Sequence, residues 1–199
     1  MNERVAGDDP ANFRKALRLR ALAAREALPA ATRAHLTAAL TSHLQPLVER
    51  LAPRSLGFCW PYRAEPDLRG FVAGWLAADP ARTAALPVVL DRGKAMVFRR
   101  WHPEVVLRED RYGIPVPPEG EELVPDVVLV PLNAFDPAGF RIGYGGGYFD
   151  RTLAVMDSVA VGVGFELGRV DSVRPQTHDK PMRWTVTEAG AWSHPPAGA

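Results

Sequence analysis

Residues 131–153 read Pro-Leu-Asn-Ala-Phe-Asp-Pro-Ala-Gly-Phe-Arg-Ile-Gly-Tyr-Gly-Gly-Gly-Tyr-Phe-Asp-Arg-Thr-Leu, and no other stretch limits the fold so tightly. The apolar run 127–130 enters it as a buried strand. Gly143, Gly145, Gly146 and Gly147 carry no side chains, so their N–H groups can approach a ligand closely and their φ can turn positive. From Tyr148 the sequence reads as a helix start, with Thr152, Leu153, Val155 and Met156 free of breakers. Strand, glycine loop and helix N-terminus in that order build an anion site, because orphan N–H groups and the helix dipole point the same way. Arg141 precedes the glycines and Asp150 follows them, one suited to phosphate charge and the other to Mg²⁺. A merely flexible turn would need neither of these, nor the two aromatics.

The loop lacks the Gly-Lys-Ser/Thr ending of a P-loop, and its glycine spacing misses the dinucleotide fingerprint. The chain has 199 residues, enough to bury about 70% of its unfolded surface as one domain. The net charge is +1 with dispersed charges, which excludes a nucleic-acid footprint or a membrane patch. Cys59 is alone, so no intrachain disulfide forms and a reducing compartment suits the chain. No apolar run reaches ~18 residues and residues 1–9 lack the apolar stretch of a signal peptide, so a cytoplasmic protein is expected. A small-molecule substrate and a monomer are expected too.

Taken in order, Asp9 and Pro10 cap a helix to about residue 28, with Phe13, Leu17, Ala21, Ala24 and Leu28 on its inward stripe. Arg14, Arg18 and Arg25 line an adjacent face with Lys15 beside them. They are either a solvated basic face or cations reaching a triphosphate across a cleft. A second helix carries Leu36, Leu40, Leu44, Leu47 and Leu51 inward, with a kink at Pro46 and with His35 and His43 on its surface. A strand over 55–60 leads into Pro61-Tyr62-Arg63-Ala64-Glu65-Pro66-Asp67, a loop at a strand's carboxyl end, where open α/β sheets bind ligands. Trp60 and Glu65 there are either a core aromatic and a capping acid or a stacking surface and a ring-amino acceptor. A third helix follows Asp67 with Trp75 in the core, then a hairpin over 83–101. Residues 102–125 read as a surface excursion with a solvated acidic run, 160–165 as a buried strand and 184–187 as a short one. The expected fold is a three-layer α/β/α domain with a mixed, mostly parallel sheet, ordered from about 10 to 190, with flexible tails at 1–8 and 193–199.

The stretch Pro131, Leu132, Phe135, Asp136, Gly139, Arg141, Ile142, Gly143 and 145–151 resembles the signature of the 5-formyltetrahydrofolate cyclo-ligase family. The likeness extends from about residue 13 to residue 188. Arg14-Lys15-Ala16-Leu17-Arg18 is similar to the family's basic first-helix motif, and His178-Asp179 and Thr187-Glu188 to pairs near its C-terminus. The resemblance implies ATP-dependent closure of 5-formyltetrahydrofolate to 5,10-methenyltetrahydrofolate with release of ADP and phosphate. Reduced folate would be the substrate, with ATP and Mg²⁺ as cofactors. It implies Arg141, Tyr148 and Asp150 as catalytic residues. Arg14, Lys15, Arg18 and Arg141 would face ATP, together with Gly143, Tyr144, Gly145, Gly146, Gly147, Tyr148 and Phe149. Trp60, Glu65, Tyr148 and Phe149 would border the folate, and Asp150 and Asp179 the metal. Phe149, Gly146 and Arg183 depart from the family pattern, which often has Tyr, sometimes Lys and often an acid there. A folate- or nucleotide-binding relative without turnover is the alternative, and an ATP-independent isomerase or CoA-transferase-like enzyme on a similar framework a further rival.

Overall fold

The computed structural model describes residues 9–195. Helix α1 (Pro10–Glu26) starts where the Asp9 carboxylate accepts the Ala11 N–H and Pro10 occupies the first turn. It buries Leu17, Ala21 and Leu22, and Arg25 with them, whereas Ala24, expected inward, is exposed. Helix α2 (Ala30–Leu51) buries Leu40, Leu44 and Leu47 as their spacing predicts, runs on past Pro46, and ends at Ala52 in the left-handed region. After β1 (Ser55–Gly57) come α3 (Arg69–Ala77), β2 (Thr83–Val88) and β3 (Val97–Trp101). The excursion beyond β3 holds β4 (Arg108–Glu109), β5 (Pro115–Val116) and β6 (Glu122–Leu123). Then β7 (Val127–Pro131), β8 (Ala134–Phe135) and β9 (Arg141–Ile142) lead to α4 (Tyr148–Leu153), β10 (Val159–Val163), β11 (Trp184–Thr187) and β12 (Gly190–Ser193).

Eight strands form the central sheet in the order β12-β11-β10-β7-β1-β2-β3-β6. The five from β11 to β2 are parallel neighbours, and β12, β3 and β6 join antiparallel at the edges. The sheet is therefore mixed and mostly parallel, as the alternation of strands and helices predicts. Helices cover both faces, and β7 shows why its run is wholly apolar. Val127 and Leu129 enter a core with Leu40, Leu44 and Val72 of α2 and α3. Val128 and Val130 enter the opposite core with Leu132, Phe135 and Met182 and, partly buried, Phe149 and Leu153 of α4. A strand covered on both faces has no polar side to show in its sequence. Thr152 ties α4 down, donating to the Tyr148 carbonyl at 2.8 Å and accepting the Met96 N–H at 2.9 Å.

The chain leaves β1 toward α3 on one face and leaves β7 toward α4 on the other. Between the carboxyl ends of these two neighbouring strands lies the point where the winding reverses, and open α/β sheets bind ligands there. The loops on both sides of that crevice are the two that the sequence marks, 58–67 and 132–147.

Two expectations need correction. Ser193 pairs with Trp184 in β12, and His194 is buried with its Nε2 2.9 Å from the Thr185 hydroxyl oxygen, so a mobile tail does not begin at 193. The Gly190 turn lets the chain double back along β11 and carry His194 under cover. Residues 1–8 and 196–199, the remainder of the expected tails, lie outside the described residues. Helix α4 is also shorter than its apolar residues suggest, ending at Leu153 and leaving Val155 exposed.

The turn between β8 and β9, which sets up the glycine loop, is organised by one buried carboxylate. Asp136 Oδ1 accepts the N–H groups of Ala138 and Phe140, and Oδ2 accepts that of Val173, each at 3.1 Å. Asp136→Ala strands three donors in a site only 3% exposed, a loss of about 3 kcal/mol. Thermal denaturation should show a midpoint lower by roughly 6–12 °C, with Asp136→Asn intermediate because its amide keeps one acceptor oxygen.

Candidate active site

A cleft of about 640 Å³ opens at the switch point. Its walls are the loops after β1 and β7, the hairpin β4–β5 and one face of α1. Every residue that the sequence singles out for ligand contact lines it, except Lys15, which is exposed on α1 outside the lining.

The glycine loop forms the floor. Gly145 has φ +94° and Gly147, the residue before α4, has φ +63°, values that favour glycine. The N–H groups of Gly145, Gly146 and Gly147 have no hydrogen-bond partner among the described residues. They are free to meet an anion. A Cβ on Gly145 would lie 3.2 Å from Cζ of Arg18, so that guanidinium sits over the loop. Its Nε donates to the Gly143 carbonyl at 2.7 Å, and its two terminal nitrogens have no partner among the described residues. Burial and the neighbouring Arg14 lower the Arg18 pKa from its ordinary value. At Gly146 a Cβ would meet the Tyr148 ring at 2.8 Å, so a lysine there would require that ring to move.

Arg141 is 5% exposed and donates through Nη1 to Asp150 Oδ1 and to the Lys180 carbonyl, both at 3.1 Å. Its guanidinium lies 5.8 Å from the Phe149 ring centroid. Burial lowers its pKa, with Asp150 opposing the shift, and arginine's ordinary value is high enough that it remains a cation. Asp150 Oδ1 also accepts the Lys180 N–H at 3.2 Å, while Oδ2 has no partner among the described residues. Asp179 is placed differently. It receives a two-pronged contact from Arg14, at 2.7 and 3.1 Å, and the Gln176 N–H at 2.7 Å. Among the described residues no three His, Cys, Asp or Glu side chains gather as a metal cluster. Asp150 with its open oxygen fits a magnesium ion held largely by phosphates, a common arrangement for that ion. Asp179, its charge already paired by the two-pronged Arg14 contact, fits as the anchor of α1 better than as a metal ligand. Arg183, where the family often has an acid, donates to the His194 carbonyl away from the cleft.

The α1 arginines resolve the choice between a solvated face and a reaching one. Positions 14, 18 and 25 fall within roughly 40° of one another around the helix, and all three are engaged. Arg25, which the sequence reading places on that face but does not assign to a ligand, is 3% exposed and surrounded by acceptors. It donates to the carbonyls of Arg63 and Leu132, to Asn133 Oδ1 and to the Tyr144 hydroxyl.

At the other end of the cleft, Arg63 and Ala64 both adopt left-handed backbone, φ +47° and +62°, which swings Glu65 inward. Glu65 Oε1 accepts the Tyr144 hydroxyl at 2.7 Å and Oε2 the Tyr62 N–H at 3.0 Å. Burial raises its pKa, with Arg25 as the main opposing influence. Burial and Glu65 likewise raise that of the Tyr144 hydroxyl. Trp60 lines this end with Arg69 4.6 Å above its ring.

Part of the excursion also belongs to the site. Asp110 Oδ1 accepts the N–H groups of Tyr112 and Ile114 and folds the β4–β5 turn back over the cleft. The Tyr112 hydroxyl oxygen reaches 2.6 Å from that of Tyr148, with the rings edge to face. The Gly-Ile-Pro turn at 113–115 is the signal for this in the sequence, masked by its acidic surroundings.

A family model described as the 5-formyltetrahydrofolate cyclo-ligase family matches residues 11–188. The chain is 25% identical over 153 residues to the 5-formyltetrahydrofolate cyclo-ligase of Haemophilus influenzae, covering 72% of this chain and 80% of that one. It is 31% identical over 105 residues to the enzyme of that name from Escherichia coli K12, covering 49% and 58%. The NMR structure of Aquifex aeolicus 5,10-methenyltetrahydrofolate synthetase superposes with a TM-score of 0.81 at 27% identity, covering 94% of this chain and 95% of that one. With a family model matched over almost its whole described length and this fold beneath it, the chain belongs to the 5-formyltetrahydrofolate cyclo-ligase family, a family of enzymes.

Proposed function

We propose that this protein closes the ring of 5-formyltetrahydrofolate to 5,10-methenyltetrahydrofolate at the expense of ATP, releasing ADP and phosphate. The observation that carries this function is a single cleft with two unlike ends. One end offers unpaired backbone N–H groups, Arg18 and Arg141 to an anion; the other offers a buried, doubly held carboxylate to a hydrogen-bonding ring.

A formamide oxygen is a poor leaving group. In the proposed reaction the γ-phosphoryl of ATP passes to that oxygen, giving an imidoyl phosphate and ADP. Nitrogen 10 of the same folate then attacks the formyl carbon and loses its proton, and the C–O bond breaks to release phosphate. Both reacting groups belong to bound substrates, so the protein contributes position and charge rather than a nucleophile. The N–H groups of Gly145, Gly146 and Gly147 hold phosphate oxygens. The free terminal nitrogens of Arg18 close over them, and Arg141 stabilises the charge that develops in transfer. When bound, magnesium supplies charge neutralisation between phosphate oxygens, and Asp150 Oδ2 is the oxygen that would hold it. Glu65 accepts from the pterin ring, Trp60 supplies an apolar wall beside it, and Tyr148 and Phe149 border the formyl group between the two ends. Arg14 supports the arrangement through Asp179. No helix among the described residues is long and apolar enough to cross a membrane. A monomer of one domain working in the cytoplasm suits this chemistry.

Mixed with 5-formyltetrahydrofolate, Mg²⁺ and ATP, the protein should produce the methenyl-folate absorbance band, and an ATP-free control should not. Folate binding without ATP turnover would instead make it a binding relative. Asp150→Asn should lower kcat by roughly 10²–10³-fold while folate binding without ATP stays close to wild type, with a lower melting temperature because the buried Arg141 loses its carboxylate partner. Unaltered kcat would remove Asp150 from the phosphate end.

A further inference from the structure

The geometry points to Arg25 and Tyr144 as positioning residues that fix the Glu65 carboxylate at the substrate end of the cleft, a role that rests on the folate function above. Arg25 is used on every side. Its Nε donates to the Arg63 carbonyl at 3.0 Å, and Nη1 to the Leu132 carbonyl at 3.3 Å and Asn133 Oδ1 at 2.9 Å. Its Nη2 donates to the Tyr144 hydroxyl at 2.7 Å. One guanidinium thus joins the loop after β1, the segment after β7 and the glycine loop. A lysine ammonium, with its donors on a single nitrogen, cannot span those directions.

Arg25 reaches Glu65 chiefly through another group. Its Nη2 stands 4.0 Å from Glu65 Oε1, beyond hydrogen-bond distance, and the Tyr144 hydroxyl connects the two. That hydroxyl accepts from Arg25, and of its two acceptors Glu65 Oε1 at 2.7 Å is much nearer than the Tyr62 carbonyl at 3.4 Å, so its proton goes to the carboxylate. The Tyr62 N–H fixes Oε2. Each carboxylate oxygen is therefore held by one donor and retains a further lone pair for a ligand. Two acceptors on one rigid carboxylate suit a planar pair of neighbouring N–H donors, such as the ring N–H and amino group of a reduced pterin. The same hydroxyl links the glycine loop to Glu65, so the two ends of the cleft share a common support.

A purely structural clamp would use the same bonds, and the two roles part on substrate affinity. Tyr144 is 39% exposed and its ring packs edge to face on Tyr62 with centroids 5.4 Å apart, so Tyr144→Phe keeps the packing and removes only the hydroxyl. The test measures 5-formyltetrahydrofolate binding without ATP by calorimetry, together with KM for folate and ATP. The proteins are wild type, Tyr144→Phe, Glu65→Gln, the double variant and Arg25→Lys. Tyr144→Phe should raise the folate Kd and KM about tenfold, as expected for a lost hydrogen bond to a charged group, while the ATP KM holds and the melting temperature falls by a few degrees because Arg25 Nη2 loses its acceptor. The double variant should bind no more weakly than Glu65→Gln alone, because the hydroxyl acts through that carboxylate. Arg25→Lys should raise the folate KM more than it lowers kcat. A Tyr144→Phe protein with wild-type folate affinity, or penalties that add in the double variant, would overturn the positioning role. Wild-type protein that neither binds nor converts the folate would overturn the folate function itself, and this role with it.

Discussion

The cleft depends on three arginines drawn in along one face of α1, Arg25 buried and Arg14 and Arg18 partly so. Desolvating a cation is unfavourable unless its donors find good acceptors. Here the acceptors come from elsewhere: the Gly143 carbonyl for Arg18, the Asp179 carboxylate for Arg14, and two carbonyls, an amide oxygen and a hydroxyl for Arg25. Loops that would otherwise be free to wander are thereby hung on a helix. The cost of burying charge is offset by making the helix and loops one unit, with Leu17 and Ala21 packing near Ala134, Ile142 and Val173 beneath the arginines.

The parallel sheet provides what the loops cannot. β1 and β7 are adjacent and buried on both faces, so the points where the two ligand loops depart are fixed relative to each other. Backbone strain is concentrated just beyond those points, in the left-handed pair Arg63 and Ala64 and in the positive φ of Gly145 and Gly147. A conformation that L residues rarely adopt persists at 63 and 64 because Arg25 grips the Arg63 carbonyl and Glu26 pairs with its side chain.

Much of this is legible in the sequence because the signals are local. Apolar runs mark the buried strands, leucines at helical spacing mark α2, and the glycines flanked by Arg141 and Asp150 mark one end of the cleft. Arg25 escapes because its acceptors lie 38 to 119 residues away, and helical spacing cannot distinguish an arginine facing water from one facing a carbonyl not yet reached. Ala24 misleads for the same reason: its spacing fits the inward stripe, but the helix is rotated to bury Leu22 and Arg25 instead. Tyr112 is hidden in a segment whose acidic composition suggests solvent, though one aspartate is enough to fold that segment inward. Asp179 lies in the right place, but its commitment to Arg14 depends on a helix far away in sequence.

Arg14 and Asp179 are separated by 165 residues, and that distance has a consequence for synthesis. A chain growing on the ribosome presents α1 and its arginines long before their last acceptor exists. Glu65 and the whole glycine loop, with the acceptors of Arg18 and Arg25, are already made at that stage, whereas the acceptors of Arg14 at 173, 174 and 179 are not. At equilibrium the long separation matters little, since loop-closure entropy grows only with the logarithm of length. In time it matters more, because contacts far apart in sequence form late. A nascent chain short of residue 179 therefore carries nearly every ligand-facing group of the cleft without the carboxylate that clasps the first turns of α1.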